Sequence, residues 1–371
     1  MFSGSYPPSD VTFLLKVIDL PSTDISRKEE LIQSGQRHYS EMITYESPPS
    51  PVYLELFHQA LERHRLQLAG DLVHLARQLQ REFPNSLTLV SLARAGTPIG
   101  VLLKRILQGP LAHPDVLHYS ISIVRDRGLD LEALRFILER AERPPESLVF
   151  VDGWTGKGVI SQELLSSISQ INSQWGLNLD SRLAVVADLS GTSGWAATSQ
   201  DYLIPSSILN SVVSGLISRS ILNKDYLQPG DFHGCLYYEQ FASQDLSNYF
   251  IEVLMESVGE LPAHFWQDEP HLIDEAERER LRSVSSQFLA ETKERYQINS
   301  LHHIKPGIGE ATRVLLRRWP QLLLLRQSGT PEVAHLERLA LEKGVAVQID
   351  PNLPYCAVAL IRQVKESSNA K

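Results

Sequence analysis

Residues 147–163, SLVFVDGWTGKGVISQE, combine a short apolar run with a polar turn and the start of a helix. The run 148–151 is too short for a helix and is bounded by turn residues, which predicts a buried strand. Asp152 follows at the carboxyl end of that strand, where parallel α/β sheets bind their ligands. A turn rich in glycine and threonine then leads into an amphipathic helix that begins near Val159. In this order, the backbone N–H groups of the turn and the helix dipole can both attract a phosphate group.

Three other kinds of turn compete with a phosphate-binding loop at this position. An ordinary strand-to-helix turn also uses glycine and threonine, and this alternative stays open. A nucleotide triphosphatase loop needs glycine where Val151 stands and a hydroxyl where Gly158 stands. A dinucleotide-binding loop has a different glycine spacing and does not begin with an acidic residue.

A second turn of the same kind follows the predicted strand 87–92. It consists of small residues and one cation, namely Ala93, Arg94, Ala95, Gly96 and Thr97. Small residues let the backbone approach a ligand, the dipole of the following helix favours an anion, and a guanidinium can bind phosphate oxygens bidentately. Taken alone, the segment also fits a plain turn with a surface arginine. Two such turns in one chain favour anion binding at the sheet edge.

Length and composition predict a globular protein with two domains. The chain has 371 residues, of which 43% are apolar and 21% charged, and its formal net charge is −9. That charge argues against extended nucleic-acid coating but permits a local basic patch. Two cysteines, Cys235 and Cys356, form neither a disulfide framework nor a set of four metal ligands. No secretory signal or long apolar stretch is visible, so we expect a cytoplasmic protein with no membrane partner.

The order of predicted elements gives the fold class. Strands that alternate with helices predict an α/β domain with a mostly parallel sheet flanked by helices. We expect this domain at residues 1–267, with 1–50 as an irregular hood or lid. A charged helical connector at 268–298 leads to a small α/β domain at 299–371. The predicted helix and strands of the first domain lie at 53–83, 87–92, 116–124, 148–151 and 182–187.

Basic residues mark two further segments. Arg125 and Arg127 follow the predicted strand 116–124 and can supply positive charge to a leaving group; a solvated basic turn explains them equally well. From His302 onward, Lys and Arg number 10 against 6 Asp and Glu, which gives this region a charge of about +4. Such segregation of charge fits contact with RNA, and a solvated helix face is the alternative.

Four motifs together resemble a known bacterial family that occurs with tellurium-resistance and stress operons. Its members join a type I phosphoribosyltransferase-like domain to a carboxyl-terminal Pelota-type RNA-binding domain, and they have also been labelled cysteine protease StiP. The resemblance covers most of the chain. The motifs are Ala93-Arg94-Ala95-Gly96, Val151-Asp152-Gly153-Trp154-Thr155-Gly156-Lys157-Gly158, Gly230-Asp231-Phe232-His233-Gly234 and Lys305-Pro306-Gly307-Ile308-Gly309-Glu310.

This resemblance implies a phosphoribosyltransferase that makes a nucleoside- or nucleotide-type metabolite in a stress or tellurium-resistance pathway. Its partners are phosphoribosyl pyrophosphate (PRPP) or a related phosphosugar, a base-like acceptor and structured RNA, and a homodimer is also expected. Its cofactor is Mg²⁺, held mainly by the PRPP phosphates. The catalytic residues implied are Asp152, Arg125 and Arg127. The ribose and 5′-phosphate would contact Asp152, Gly153, Thr155, Gly156, Lys157 and Gly158. The pyrophosphate would contact Ala93, Arg94, Ala95, Gly96 and Thr97, and RNA would contact Lys305, Gly307, Glu310 and Arg313.

Two hypotheses from other classes stay open. Typical transferases carry two adjacent acids in the PRPP loop, whereas Gly153 follows Asp152 here, which fits a nucleotide-sensing RNA-binding regulator without turnover. The other hypothesis is a cysteine protease that uses Cys235 as nucleophile with His233 nearby. These two residues stand only two positions apart, whereas a nucleophile and its base normally come from distant parts of a chain.

Overall fold

Strands and helices alternate along the chain as the apolar pattern predicts. The computed structural model describes residues 1–318 and 320–361; residues 362–371 of the predicted tail domain lie outside the described residues. The strands are β1 (Thr12–Phe13), β2 (Lys16–Val17), β3 (Leu87–Ala93), β4 (Val116–Val124), β5 (Gly128–Leu129), β6 (Leu148–Val151), β7 (Trp154–Thr155), β8 (Leu183–Asp188), β9 (Trp195–Thr198), β10 (Gly234–Cys235), β11 (Ile304–Pro306), β12 (Pro320–Leu325), β13 (Ala346–Ile349) and β14 (Ala357–Ile361). The helices are α1 (Ile25–Gln33), α2 (Pro51–Glu82), α3 (Gly96–Gln108), α4 (Leu131–Arg135), α5 (Val159–Trp175), α6 (Ser247–Gly259), α7 (His264–Gln267), α8 (Glu275–Arg295), α9 (Ile308–Arg317) and α10 (Ala334–Glu342).

The central sheet has the order β1-β4-β3-β6-β8-β7, with β5 paired to β4 and β9 paired to β8. All of these pairs are parallel except β4 with β5, which confirms the predicted mostly parallel sheet. From β3 the chain moves outward to β4, and it then crosses back over β3 to β6. The strand order therefore reverses between β3 and β6, and in α/β sheets such a reversal opens a crevice at the carboxyl ends of the strands.

Both faces of the sheet are covered by helices. Successive residues of a strand point to opposite faces, so Leu89 and Val90 enter different apolar clusters. Side chains of α2, α3 and α6 complete the cluster around Leu89. Side chains of α4 and α5 complete the cluster around Val90. Burial on both faces explains why the strands read as continuous apolar runs.

The carboxyl-terminal part forms a second sheet with the order β11-β14-β12-β13. Strand β14 pairs antiparallel with β11 and β12, and β13 pairs parallel with β12. The long helix α8 leads into this sheet, and Leu289 on α8 joins its core. Leu189, at the end of β8 in the first sheet, packs into the same core. This tail is therefore docked against the carboxyl edge of the central sheet.

The amino-terminal segment differs from its prediction in detail. Residues 11–18 read as one strand, but they form the two short strands β1 and β2, which join different sheets. Between them lies the buried Leu14, whose N–H donates to the carbonyl of Ser120 and so continues the pairing of β1 with β4 by one residue. Among the described residues, no helix is long and apolar enough to cross a membrane.

Candidate functional site

The two predicted loops meet at the crevice between β3 and β6. A Cβ atom added at Gly96 would stand 2.3 Å from the carbonyl oxygen of Val151, so only glycine allows the loops to approach so closely. A Cβ atom added at Gly153 would stand 3.5 Å from the carbonyl oxygen of Ala95, at ordinary van der Waals distance across the same junction. The fold therefore brings together the two segments that the sequence places about sixty residues apart.

Asp152 follows directly after β6 at the carboxyl edge of the sheet and is partly buried. One of its carboxylate oxygens accepts the N–H of Gly153 at 2.8 Å. Burial raises the pKa of Asp152 to about 7, which the Gly153 hydrogen bond and the positive charge of Arg313 oppose. The neighbouring Trp154 lies under the guanidinium of Arg313, 5.8 Å from the ring centroid. Both tail contacts come from helix α9.

The polar groups of the loop after Asp152 are bonded within the protein. The hydroxyl of Thr155 accepts the N–H of Gly158 at 3.0 Å, so it closes its own turn. The ammonium of Lys157 donates to the carbonyls of Leu301 and Ile304, at 2.7 and 2.9 Å. Burial and then repulsion from nearby cations lower the pKa of Lys157 to about 8. In this conformation, the loop binds the tail through the side chain of Lys157.

Arg94 in the other loop has a carboxylate partner that the sequence did not reveal. Its guanidinium pairs with Glu46 at 2.5 Å and donates to the carbonyl of Ile217 at 2.9 Å. Burial acts to raise the pKa of Glu46, but Arg94 and hydrogen bonds from Ser211 hold it below its usual value. Burial, followed by repulsion from Arg313 and Arg94, lowers the pKa of Arg317 nearby to about 9.

The remaining residues of this loop make structural contacts. The hydroxyl of Thr97 lies 2.8 Å from that of Ser120 on β4. Carboxylates also do not gather here: among residues 1–318 and 320–361, no three His, Cys, Asp or Glu side chains are placed to hold a metal ion. The charged side chains that act on the pKa of Asp152 are one cation, Arg313, and one acid, Glu310.

Arg125 and Arg127 lie at the rim of the crevice, on the turn between β4 and β5. The Arg125 guanidinium stands 5.3 Å from the ring centroid of Tyr39, and one of its nitrogens lies 3.4 Å from Nδ1 of His302. Arg127 pairs with Glu41 at 3.5 Å. The two arginines therefore face the hood on one side and the tail on the other.

The four predicted RNA-binding residues lie at the same junction. Lys305 and Arg313 both pair with Glu310, at 3.3 and 3.7 Å. Gly307 has a φ of +91°, and a Cβ there would stand 2.7 Å from the side chain of Leu189, so glycine is needed. The first N–H of α9 donates to Asp201 at 2.8 Å. This surface of the tail faces the core domain.

The two cysteines lie in different surroundings, and neither has a hydrogen bond to an imidazole among the described residues. Cys235 is fully buried, which raises the pKa of its thiol to about 12. The Nδ1 atom of His233 lies 2.8 Å from the hydroxyl of Ser122, and its backbone N–H donates to Asp130. The structure therefore does not form the predicted Cys235–His233 pair. Cys356 is half-buried, with a nitrogen of Arg326 at 2.9 Å from its sulfur.

Sequence reasoning missed Glu46, Asp201 and Arg317. Glu46 lies in a proline-rich connector and Asp201 in a loop, so no motif or periodicity marked them. Each acquires its role from a partner more than 40 residues away along the chain, namely Arg94 for Glu46, the N–H groups of Ile308 and Cys356 for Asp201, and Asn210 for Arg317.

Comparison with known proteins identifies relatives for nearly the whole chain. Residues 4–255 match the family described as "Tellurite-like stress resistance cysteine protease StiP". Residues 283–363 match the "PELOTA RNA binding domain". The protein named "Cysteine protease StiP" from Acinetobacter baylyi is 39% identical over 373 residues, which cover 98% of this chain and 95% of that relative.

These names correct the principal prediction from the sequence. Both the family and the relative are named as cysteine proteases, so the predicted phosphoribosyltransferase activity is wrong. The geometry offers a physical reason, because the groups expected to hold phosphates are bonded within the protein: Arg94 to Glu46 and Lys157 to the backbone of the tail. The alternative prediction of a cysteine protease agrees with the comparisons, and so do the stress-resistance setting and the Pelota-type tail of the resembled family. The chain belongs to the StiP family of tellurite-like stress resistance cysteine proteases.

Proposed function

We propose that this protein is a cysteine peptidase of stress resistance, that Cys235 is its nucleophile, and that the conformation described above is latent. One observation carries the choice of residue: Cys235 is the single cysteine of this chain within residues 4–255, the segment that matches the protease family. Thiol peptidases attack the peptide carbonyl with a thiolate, so one of the two cysteines must perform this step.

The latency follows from the state of the thiol. With a pKa of about 12, only about one Cys235 in 10⁵ is ionised at pH 7. A cysteine in contact with water has a pKa of about 8.5, so uncovering the thiol increases the thiolate fraction by about 10³. The apolar surroundings of Cys235 therefore keep its thiol protonated and inactive until a local movement exposes the sulfur to water.

The segment that contains Cys235 is hydrogen-bonded on one side to residues 216–221 and on the other side, over a shorter length, to β2. Strand β10 pairs with β2 over two residues, through N–H groups that donate to the carbonyls of His233 and Cys235, both at 2.9 Å. A half-exposed ion pair between Lys16 and Asp231, at 2.7 Å, closes the edge of this strand pair. An open cavity of about 500 Å³ lies alongside and is lined by Phe2, Lys16 and Phe232, among others. A strand pair of only two residues, such as β2 with β10, opens locally at a low cost in free energy.

His233 is the imidazole closest in sequence to the thiol. Its pKa is lowered by burial, against the opposing charge of Asp130, so the ring is neutral at pH 7 and able to accept a proton. In the open state, it would take the proton of Cys235 and later donate it to the leaving amine.

Alkylation with iodoacetamide tests this proposal on the unmodified chain. We expect the half-buried Cys356 to react first without loss of casein hydrolysis, and hydrolysis to disappear in step with the slower alkylation of Cys235. Mass spectrometry of the two cysteine-containing peptides, sampled together with the hydrolysis rate, gives both time courses. Hydrolysis that persists after complete modification of Cys235, or that disappears with Cys356, would contradict the proposal.

A second function, RNA binding through the tail, is supported by the match of residues 283–363 to the Pelota RNA-binding domain. The excess of basic residues after His302 supplies the charge that phosphates require. We expect the full chain to bind a folded RNA stem-loop with an affinity that falls steeply as salt rises. Fluorescence anisotropy titrations at several salt concentrations measure this, and weak binding that does not change with salt would argue against the function.

A further inference from the structure

The junction between the tail and the core collects cations from both sides. We call it the seam and define it by Arg125, Arg127 and Lys157 of the core and Lys305 and Arg313 of the tail. The pKa of Lys157 is lowered first by burial and then by its cationic neighbours Lys305 and Arg125, so these charges lie close enough to repel one another. Acids lie here as well: Asp126 pairs with Arg125, Glu41 with Arg127, and Glu310 with both Lys305 and Arg313, so five cations meet three paired acids.

Most of the seam is accessible to a ligand. The side chains of Arg125, Arg127 and Arg313 are 34%, 45% and 33% exposed. Their ion pairs join them to acids within the protein, but a guanidinium carries five donors, so donors remain for phosphate oxygens. Lys157 differs, because its ammonium donates hydrogen bonds to the carbonyls of Leu301 and Ile304 and so links the core to the tail.

Aromatic rings lie between these cations. Tyr39 lies beneath Arg125 with 5.3 Å between the guanidinium and the ring centroid, and Trp154 lies beneath Arg313 at 5.8 Å. The imidazole of His302 approaches Arg125 from the tail side. Alternating cations and aromatic faces are the surface on which single-stranded segments of nucleic acid bind, because phosphates contact the cations and bases stack on the rings.

Several buried nitrogen atoms around the seam have no hydrogen-bond partner among the described residues. They are Nε2 of His38, Nη1 of Arg219, Nδ1 of His303 and Nε of Arg317. Buried polar atoms in folded proteins are nearly always bonded, so these nitrogen atoms can take further hydrogen bonds from water or from a polar ligand. The atoms belong to the hood, the core and the tail, which all meet at this junction.

We infer that RNA occupies the seam and contacts both domains at once, with phosphates on Arg125 and Arg127 of the core beside those held by Lys305 and Arg313 of the tail. This inference rests on the proposed RNA-binding function of the tail and adds core residues to it. The core supplies part of the binding site, and Lys157 acts as a positioning residue that keeps the tail in place. RNA binding is thereby linked to the docking of the two domains.

The test compares two double variants of the full chain in binding to a labelled RNA stem-loop with a single-stranded bulge. Arg125→Ala/Arg127→Ala removes the two core contacts. Arg81→Ala/Arg140→Ala is the matched control, because both residues are exposed and precede β3 and β6, at the opposite edge of the sheet. We expect the core variant to weaken binding about tenfold or more and to reduce the slope of log Kd against log salt by about 1.5 to 2, whereas the control keeps the wild-type slope.

The outcomes separate the inference from the function on which it rests. If the wild-type chain does not bind RNA, the function of the tail is wrong. If the wild type binds and the core variant binds with the same slope, the tail alone holds the RNA and the inference is overturned. Equal losses in both double variants would also overturn it, since net charge would then be the cause. Arg125→Lys/Arg127→Lys, which keeps the charges and the fold, should restore most of the slope.

Discussion

Replacing Cys235 with alanine is expected to abolish peptide hydrolysis, with a rate at least about 10³-fold below that of the wild type, whereas Cys356→Ala is expected to retain the activity. The reason is chemical: without the sulfur no acyl-enzyme can form, and removing a nucleophile leaves only the contribution of substrate binding and oxyanion stabilisation. Alanine is a better replacement than serine because Cys235 is fully buried among apolar side chains, where an added hydroxyl would lack a partner.

Stability must be measured beside activity to interpret this experiment. Loss of one buried sulfur atom costs about 1 kcal/mol, which leaves a domain of this size folded. Thermal unfolding of both cysteine variants should therefore stay within a few degrees of the wild type. A folded Cys235→Ala protein that still hydrolyses casein at the wild-type rate would exclude Cys235 as the nucleophile, and an inactive Cys356→Ala protein would transfer the role to the tail.

The strands and both sheet-edge loops could be predicted because their signals are local. The apolar run from Leu148 to Val151 predicts a strand at those residues, and the structure forms it there with Asp152 directly after it. The strand predicted at 87–92 likewise forms at Leu87–Ala93. Side-chain partners could not be predicted, because Arg94 meets Glu46 and Lys157 meets Leu301 only after the chain has folded. The wrong enzymatic prediction had the same origin. Loop composition indicated free anion-binding groups, and tertiary contacts had already satisfied them.

The burial of Cys235 also depends on distant residues. Its strand β10 pairs with β2, which lies more than 200 residues earlier in the chain, and neither strand exceeds two residues. So short a pairing leaves no periodic signal in the sequence. The sequence could therefore offer Cys235 as a candidate but could not indicate whether its thiol was accessible.

Asp188 allows a direct test of whether a carboxylate at the sheet edge is catalytic or stabilises its own loop. It ends β8 at the carboxyl edge of the sheet, where a catalytic acid could also stand. The side chain is fully buried, and its two oxygens accept the N–H groups of Ser190, Gly191 and Ser193, each at 2.8 Å, as well as the hydroxyls of Ser190 and Ser193. The carboxylate thus organises the loop from which Leu189 reaches the core of the tail.

Asp188→Ala is expected to lower the free energy of unfolding by about 3 to 5 kcal/mol, since it leaves three buried N–H groups without an acceptor. The free energy of unfolding of Asp188→Asn should lie between those of Asp188→Ala and the wild type, because the one amide oxygen can accept N–H groups on only one side of the loop. Asp180→Ala is the control: this acid also lies on a loop and pairs with Arg182, but at an exposed site worth about 1 kcal/mol or less. Urea unfolding followed by circular dichroism gives the three values. A catalytic Asp188 would produce the opposite pattern, in which the alanine variant keeps its stability and loses only its activity.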